Sequence, residues 1–381
     1  MPQQVDVLVW GGGHRTLAVD RAVDPAGLLL IPSFVDLATD PGFPGFPARE
    51  DLASLSAAAL AGGFTDLVTG PQVDPIVDTP EQLAAAARVG PGGVRLWHAG
   101  AITQHLDGEE LAELGLMARA GAIAVSDGGR PIRDTVVLRN ALEYARAFGL
   151  LLMLRPADAD LDRLGVVHES GRAAELGMRG NPASTEEIGV ARIIALVRTT
   201  GARVHLGPMS SARGVALVRA AQADGLPITA STPARALVLD EDAHLTRTYD
   251  TRLRLHPPLR SPADRVALVQ AVRDGVLMLT ADHAPRAPEE KDLEFERATP
   301  GSTGLESAFA AAYTALGDVG AVVRAFSTAP RTLLGAPVVG FTLVDLHAEG
   351  RVDAAAHRSR ARNDALDGVL LRGAVRGCVL S

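Results

Sequence analysis

Short apolar runs alternate along the chain with segments whose apolar positions recur at helical spacing. Runs at 29–35, 65–69, 94–98, 122–125, 150–154, 203–206, 227–230 and 276–280 read as buried parallel strands, too short and too uniformly apolar for surface helices. Between them, 51–61, 109–120, 134–148, 210–223 and 262–274 carry the helical pattern. Start signals support these helices. Thr79-Pro80 and Ser261-Pro262 set a capping hydroxyl before a proline in the first turn, and Ser184 with Glu187 has capping-box spacing. Eight strand–helix units predict an α/β fold, a (β/α)8 TIM barrel over residues 29–334, with any chemistry at the C-terminal ends of its strands.

Two flanks remain. Residues 1–28 hold an apolar run at 5–10 followed by Gly11-Gly12-Gly13, and residues 335–381 hold strand-like runs at 338–346 and 368–380. Both read as β, and one small β module built from the two termini accounts for them. The glycine triplet is expected to be a turn in that module, because no dinucleotide-type helix follows it. Residues 285–301 lack periodicity and are expected to form a long surface loop after strand eight.

Composition narrows the function classes. Apolar residues make up 47% and charged residues 22%, ordinary for a chain with a sizeable core. A net charge of −8 gives no electrostatic reason to expect nucleic acid or an anionic membrane as partner. Cys378 is the single cysteine, so no intrachain disulfide can form. The first ten residues lack a basic region and a long apolar run, and no apolar stretch of about 20 residues occurs; a cytoplasmic protein is expected.

Specific motifs go further. Ile31-Pro32-Ser33-Phe34-Val35-Asp36 runs on to Asp40, then through Pro44-Gly45-Phe46, Arg49-Glu50-Asp51 and Gly62-Gly63-Phe64-Thr65. Later come Ser126-Asp127-Gly128-Gly129, Pro257-Pro258-Leu259-Arg260, Asp282-His283-Ala284-Pro285, Gly304-Leu305-Glu306 and Arg362-Asn363 with Asp367-Gly368. In this order they resemble the dihydroorotases of the amidohydrolase superfamily, above all the type that associates with aspartate carbamoyltransferase. The resemblance spans most of the chain. It implies the barrel with a terminal β module, and in active members a zinc centre that hydrolyses a cyclic amide.

The departures from that pattern fall on the chemistry. Zinc needs three or four converging N, O or S ligands. The family's His-x-His pair corresponds here to Ala38 and Asp40, its bridging aspartate to Gly128, and its two later histidines to Arg155 and Pro208; only Asp282 is kept. The resemblance therefore implies a lost zinc site and no cofactor. The substrate-binding positions differ as well. Gly42 stands in the stretch that carries the family's carboxylate-binding arginine, Gln72 and His256 replace asparagines, and Arg286 replaces a histidine.

Each surviving polar residue has an ordinary structural reading. Asp282 keeps the family's catalytic position, but without a metal-bound water it is expected to serve an ion pair or a cap. His283 is expected to make a structural hydrogen bond, and His205, inside strand six, to sit in the barrel core. Asp40 has only Asp282 as a plausible co-ligand for a cation. Asp127 suits a turn before two glycines. His256 and Gln72 suit either a residual pocket or loop packing. Arg155, Arg235 and Arg286 are expected to pair with carboxylates rather than to hold an anion together. A guanidinium in a vacated histidine position can also replace the metal's charge, so Arg155 is expected within salt-bridge distance of Asp282, Asp40 or both.

The leading expectation is a non-catalytic dihydroorotase homologue, a structural or regulatory partner of the aspartate carbamoyltransferase catalytic subunit in an oligomeric assembly of pyrimidine biosynthesis. The alternatives are an active dihydroorotase or other cyclic amidohydrolase with an atypical metal site, and a ligand-binding module that uses the arginines.

Overall fold

The computed structural model describes residues 3–9, 11, 14–19, 28–86 and 88–380; Trp10, Gly12 and Gly13 lie outside them. Eight strands pair in parallel in chain order: Phe34–Thr39, Phe64–Thr69, Arg95–Ala101, Ala124–Ser126, Leu151–Leu154, Val204–Leu206, Ile228–Pro233 and Met278–Thr280. The seam between the first and last strands is closed differently. Thr39 forms a parallel bridge with His283, and the Asp40 amide donates to the His283 carbonyl at 2.8 Å. Below that bridge the fully buried Asp36 carboxylate accepts from Thr280 Oγ1 at 2.5 Å, Ala281 N at 2.7 Å and Thr39 Oγ1 at 2.6 Å. The barrel is the expected (β/α)8 fold.

The expected strand at 29–35 is split in two. Leu28–Pro32 pairs antiparallel with Gly340–Arg351 and parallel with Gln3–Val9, inside a five-stranded sheet completed by His14–Val19 and Leu370–Leu380. The first barrel strand begins only at Phe34. One apolar run feeds two buried surfaces in succession, so hydrophobicity alone does not mark the break. Cys378 lies in the last strand of this terminal sheet, 3.7 Å from Thr342 Oγ1.

Helices pack outside the barrel through their apolar faces. Phe34 and Phe64, at the starts of adjacent strands, stand 5.4 Å apart edge to face, and Phe309 and Phe326 close over Phe34 at 5.9 and 5.5 Å. The N-terminal face of the barrel is plugged by charge. Buried Asp66 accepts from Arg95 Nε at 2.6 Å and Trp97 Nε1 at 2.9 Å, and Arg331 Nη1 lies 3.0 Å from its other oxygen. The opposite face is therefore where a cavity can open.

Two of the expected helix caps form and one does not. Thr79 and Ser261 each make a full capping box, with Gln82 and Asp264. Ser184 is instead the first residue of helix Ser184–Thr200; Ala183 takes the cap position and no side chain caps it. Ser261→Ala is accordingly expected to lower stability by about 1 kcal/mol. Ser184→Ala should stay within about 0.5 kcal/mol, both read from urea midpoints. The helical pattern at 109–120 shortens to Leu114–Ala120. Residues 285–301 are not a plain surface loop. They contain the short helix Pro288–Lys291 and bury Ala287, Phe295 and Ala298, and Lys291 Nζ donates to the Thr251 carbonyl at 3.0 Å.

Candidate functional site: the barrel mouth

A cavity of about 480 Å³ opens at the C-terminal ends of the strands. Ala38, Asp40, Gln72, Gly128, Arg155, Pro208, His256, Asp282 and Arg286 all line it, so nine positions scattered through the sequence come together as the resemblance implies. Gly42 is not among the lining residues. At φ +69° it turns the chain against Glu50, where a Cβ would come within 3.0 Å of the glutamate side chain.

The charges at the mouth are arranged in separate pairs. Arg155 follows strand five, and its Nη2 donates to Asp162 Oδ1 at 2.9 Å while its Nη1 meets His256 Nδ1. His256 Nε2 lies 3.0 Å from Asp162 Oδ2, so guanidinium, imidazole and carboxylate form a closed ring. The Arg155 and Asp162 side chains are only 6% and 8% exposed. Burial opposes the charge on Asp162, but the His256 hydrogen bond and the Arg155 guanidinium prevail and hold its carboxyl at about 2. Burial, reinforced by Arg155, pushes His256 down to about 4, leaving a neutral ring whose Nε2 carries the proton at neutral pH.

Asp282 and Asp40 have their own partners. Arg235, after strand seven, pairs with Asp282 Oδ2 and donates to the Ala281 and Asp282 carbonyls at 3.2 Å. Asp282 sits at φ +47°, and its amide donates to Thr280 Oγ1 at 3.0 Å. Arg286 Nη1 donates to Asp40 Oδ2 at 2.7 Å and its Nε to the Pro300 carbonyl at 2.8 Å. The three arginines thus pair with carboxylates, but the expected partners of Arg155 are wrong. It binds neither Asp282 nor Asp40, because Asp162 approaches from the loop that follows its own strand. Asp162 was missed by sequence reasoning. The available signal was Asp158, whose carboxylate accepts from the Asp160 and Leu161 amides at 3.1 and 3.0 Å and so winds the turn that delivers Asp162.

His205, His283 and Asp127 are committed. His205 is buried in strand six with Nδ1 2.9 Å from Thr229 Oγ1 and Nε2 2.9 Å from Ser231 Oγ, and burial pushes it down to about 4. His283 Nδ1 accepts from the Gly304 amide at 3.2 Å, which leaves the proton on Nε2 facing Glu50 at 3.4 Å. Asp127 accepts from Ile102 N and Thr103 N at 2.9 Å and from Thr103 Oγ1 at 2.8 Å, fastening the loop after strand three rather than only turning its own. Gln72 fills the space beside Gly128, where an added Cβ would lie 2.7 Å from Gln72 Oε1; that oxygen is buried without a hydrogen-bond partner.

Zinc does not fit this donor set. Ala38, Gly128 and Pro208 offer no ligand atom, and Asp40 and Asp282 are each held by a guanidinium that would repel a dication. Among the described residues no three His, Cys, Asp or Glu side chains converge as a metal site.

Comparison with known proteins agrees with the architecture. The structure superposes on the L-hydantoinase (dihydropyrimidinase) of Arthrobacter aurescens with a TM-score of 0.82 at 19% identity, covering 100% of this chain and 95% of that one. A dihydropyrimidinase from Brevibacillus agri gives a TM-score of 0.77 at 19% identity over 98% and 93%. The fold is therefore the (β/α)8 barrel that these two proteins share. A family profile described as dihydro-orotase-like matches residues 27–213. A protein named dihydroorotase from Pelotomaculum thermopropionicum is 36% identical over 95% of this chain and 88% of its own length. Another from Anaeromyxobacter dehalogenans is 37% identical over 93% and 85%. The chain belongs to the dihydroorotase family.

Proposed function

We propose that this chain is a dihydroorotase-family barrel that does not hydrolyse cyclic amides. In this reading it is a structural or regulatory partner of the aspartate carbamoyltransferase catalytic subunit in the cytoplasm. The observation that carries the catalytic half is the pairing at the mouth, where Arg155, Arg235 and Arg286 neutralise Asp162, Asp282 and Asp40. A hydrolase of this type needs water activated by a metal and an anchored substrate. Here the carboxylates that would face the metal are engaged, and Ala38, Gly128 and Pro208 supply nothing in exchange. The partnership half rests on the motif pattern, which resembles the inactive subunits that assemble with the transferase.

The names of the relatives favour a second reading, an active dihydroorotase or other cyclic amidohydrolase with a reduced metal site. In that reading Asp282 is the general base. One preparation separates the two. The purified chain is expected to carry far less than one zinc per chain and to leave dihydroorotate and carbamoyl aspartate unchanged above background. Mixed with an aspartate carbamoyltransferase catalytic chain, it is expected to co-elute as a large complex. About one tightly held zinc per chain, with turnover abolished by Asp282→Ala, would establish the second reading. Separate elution would remove the partnership.

A further inference from the structure

The cavity at the barrel mouth is polar at its rim and apolar below. Leu37, Val68, Ala99 and Met153 each stand one or two residues before the ends of their strands, so they lie deeper along the barrel axis. Leu37 and Val68 belong to one apolar cluster with Val35, and Met153 packs against it. Ala38 and Pro208 add apolar surface where the resemblance would place metal ligands. The polar groups at this depth, His205 and Ser231, hydrogen-bond each other at 2.9 Å and ask little of a ligand.

The rim has an uneven charge. Four arginines line the cavity, Arg130, Arg155, Arg235 and Arg286, against three aspartates, Asp40, Asp162 and Asp282. Three of the arginines are matched as described. Arg130, in the loop after strand four, is exposed, and its side chain makes one hydrogen bond, Nη1 to the Leu106 carbonyl at 3.1 Å. Among the described residues no carboxylate lies within salt-bridge distance of it.

We propose that this cavity binds a small monocarboxylic acid with an apolar body, its carboxylate on Arg130 and its body against Val68, Ala99 and Met153. A single unmatched guanidinium selects one negative charge and can present two parallel N–H donors to a carboxylate. The volume of about 480 Å³ suits a small molecule of this kind. Orientation follows from the walls. The end of the ligand that enters the barrel loses water and gains apolar contact, while the charged end stays at the wet rim. The inference stands on the cavity alone and holds whether or not the chain retains hydrolytic activity.

The test is isothermal titration of the full chain with 3-phenylpropionate as probe. The controls are 3-phenylpropan-1-ol, which lacks the charge, and acetate, which lacks the body. The acid is expected to bind at least about tenfold more tightly than either control, a difference of roughly 1.4 kcal/mol. Arg130→Gln, a change at an exposed side chain, should bring the acid down to the level of the alcohol. Ala99→Phe, which fills the deeper end, should weaken acid and alcohol together while the circular dichroism stays native. Equal affinity for acid and alcohol, unchanged binding in Arg130→Gln, or no heat from the acid at millimolar concentration would overturn the proposal.

Discussion

Arg155→Ala is expected to lower the stability of the folded chain by about 3–5 kcal/mol, the cost of leaving a buried partner charge uncompensated. Asp162 would remain 8% exposed with only His256 and Asn181 to satisfy it. Arg163→Ala is the control: its pair with Asp160 is 72% and 49% exposed, and such surface pairs contribute at most about 1 kcal/mol. Chemical denaturation of both variants reads the difference directly. Equal losses would show that the ring at the mouth is no stronger than a surface contact.

The same ring sets a pH dependence whose sign can be worked out. Asp162 falls from an ordinary 3.8 to about 2 in the folded chain, so the unfolded chain binds its proton more readily. Its stabilisation is complete above about pH 4 and is lost as the pH falls toward 2. His256 falls from 6.5 to about 4, so it too makes the unfolded chain the better proton acceptor, between those values. Both groups make stability decline on acidification, His256 first and Asp162 later. In Arg155→Ala the imidazole loses a neighbouring positive charge and can protonate against Asp162, so the decline should start at the same pH, near 6.5, and be shallower.

Asp36→Ala is expected to cost a comparable amount, about 3 kcal/mol or more, because it strips the barrel seam of a buried acceptor. Ala281 N, Thr280 Oγ1 and Thr39 Oγ1 all point at that carboxylate, and Asp36 is fully buried. Burial raises its pKa, so the charged form is held at a cost and a neutral isostere should be tolerated better. Asp36→Asn keeps an oxygen for the Ala281 amide and should lose less than half as much stability as Asp36→Ala. Thermal unfolding of the two variants side by side checks the order, and the reverse order would mean that the charge itself holds the seam.

The sequence made the barrel legible because each strand and helix is a local pattern, repeated eight times with intelligible starts. Residues 28–39 show where local pattern stops being enough. Leu28–Pro32 and Phe34–Thr39 are both buried almost throughout, and only their partners distinguish a strand of the terminal sheet from a strand of the barrel. At the mouth, motif positions brought Ala38, Gln72, Gly128, Pro208 and Asp282 to one cavity, since barrel geometry fixes where strand ends converge. Which carboxylate each arginine would choose was not legible. Asp162, Asp282 and Asp40 compete for three guanidinium groups, and the choice depends on loop paths of a few residues that carry no periodic signal. The missing cap at Ser184 has a similar cause: the chain before it is already turning as Ala183 takes helical dihedrals, so the serine arrives one position too late to cap.

The three arginine–aspartate pairs also constrain the sequence changes open to this chain. A metal ion can leave and return, but a guanidinium is covalently part of the polypeptide and always charged. Replacing Arg155 by a histidine would strand Asp162 before any ion had enough ligands to bind. Adding a histidine at Ala38 or Pro208 alone would place one donor in a site where the neighbouring carboxylates are already spoken for. A metal centre at this mouth would therefore take several substitutions at once, and the step at Arg155 carries a penalty of its own because it strands Asp162. Steps that enlarge or reshape the cavity while leaving the pairs intact carry no such penalty, and selection on this fold is free to explore them.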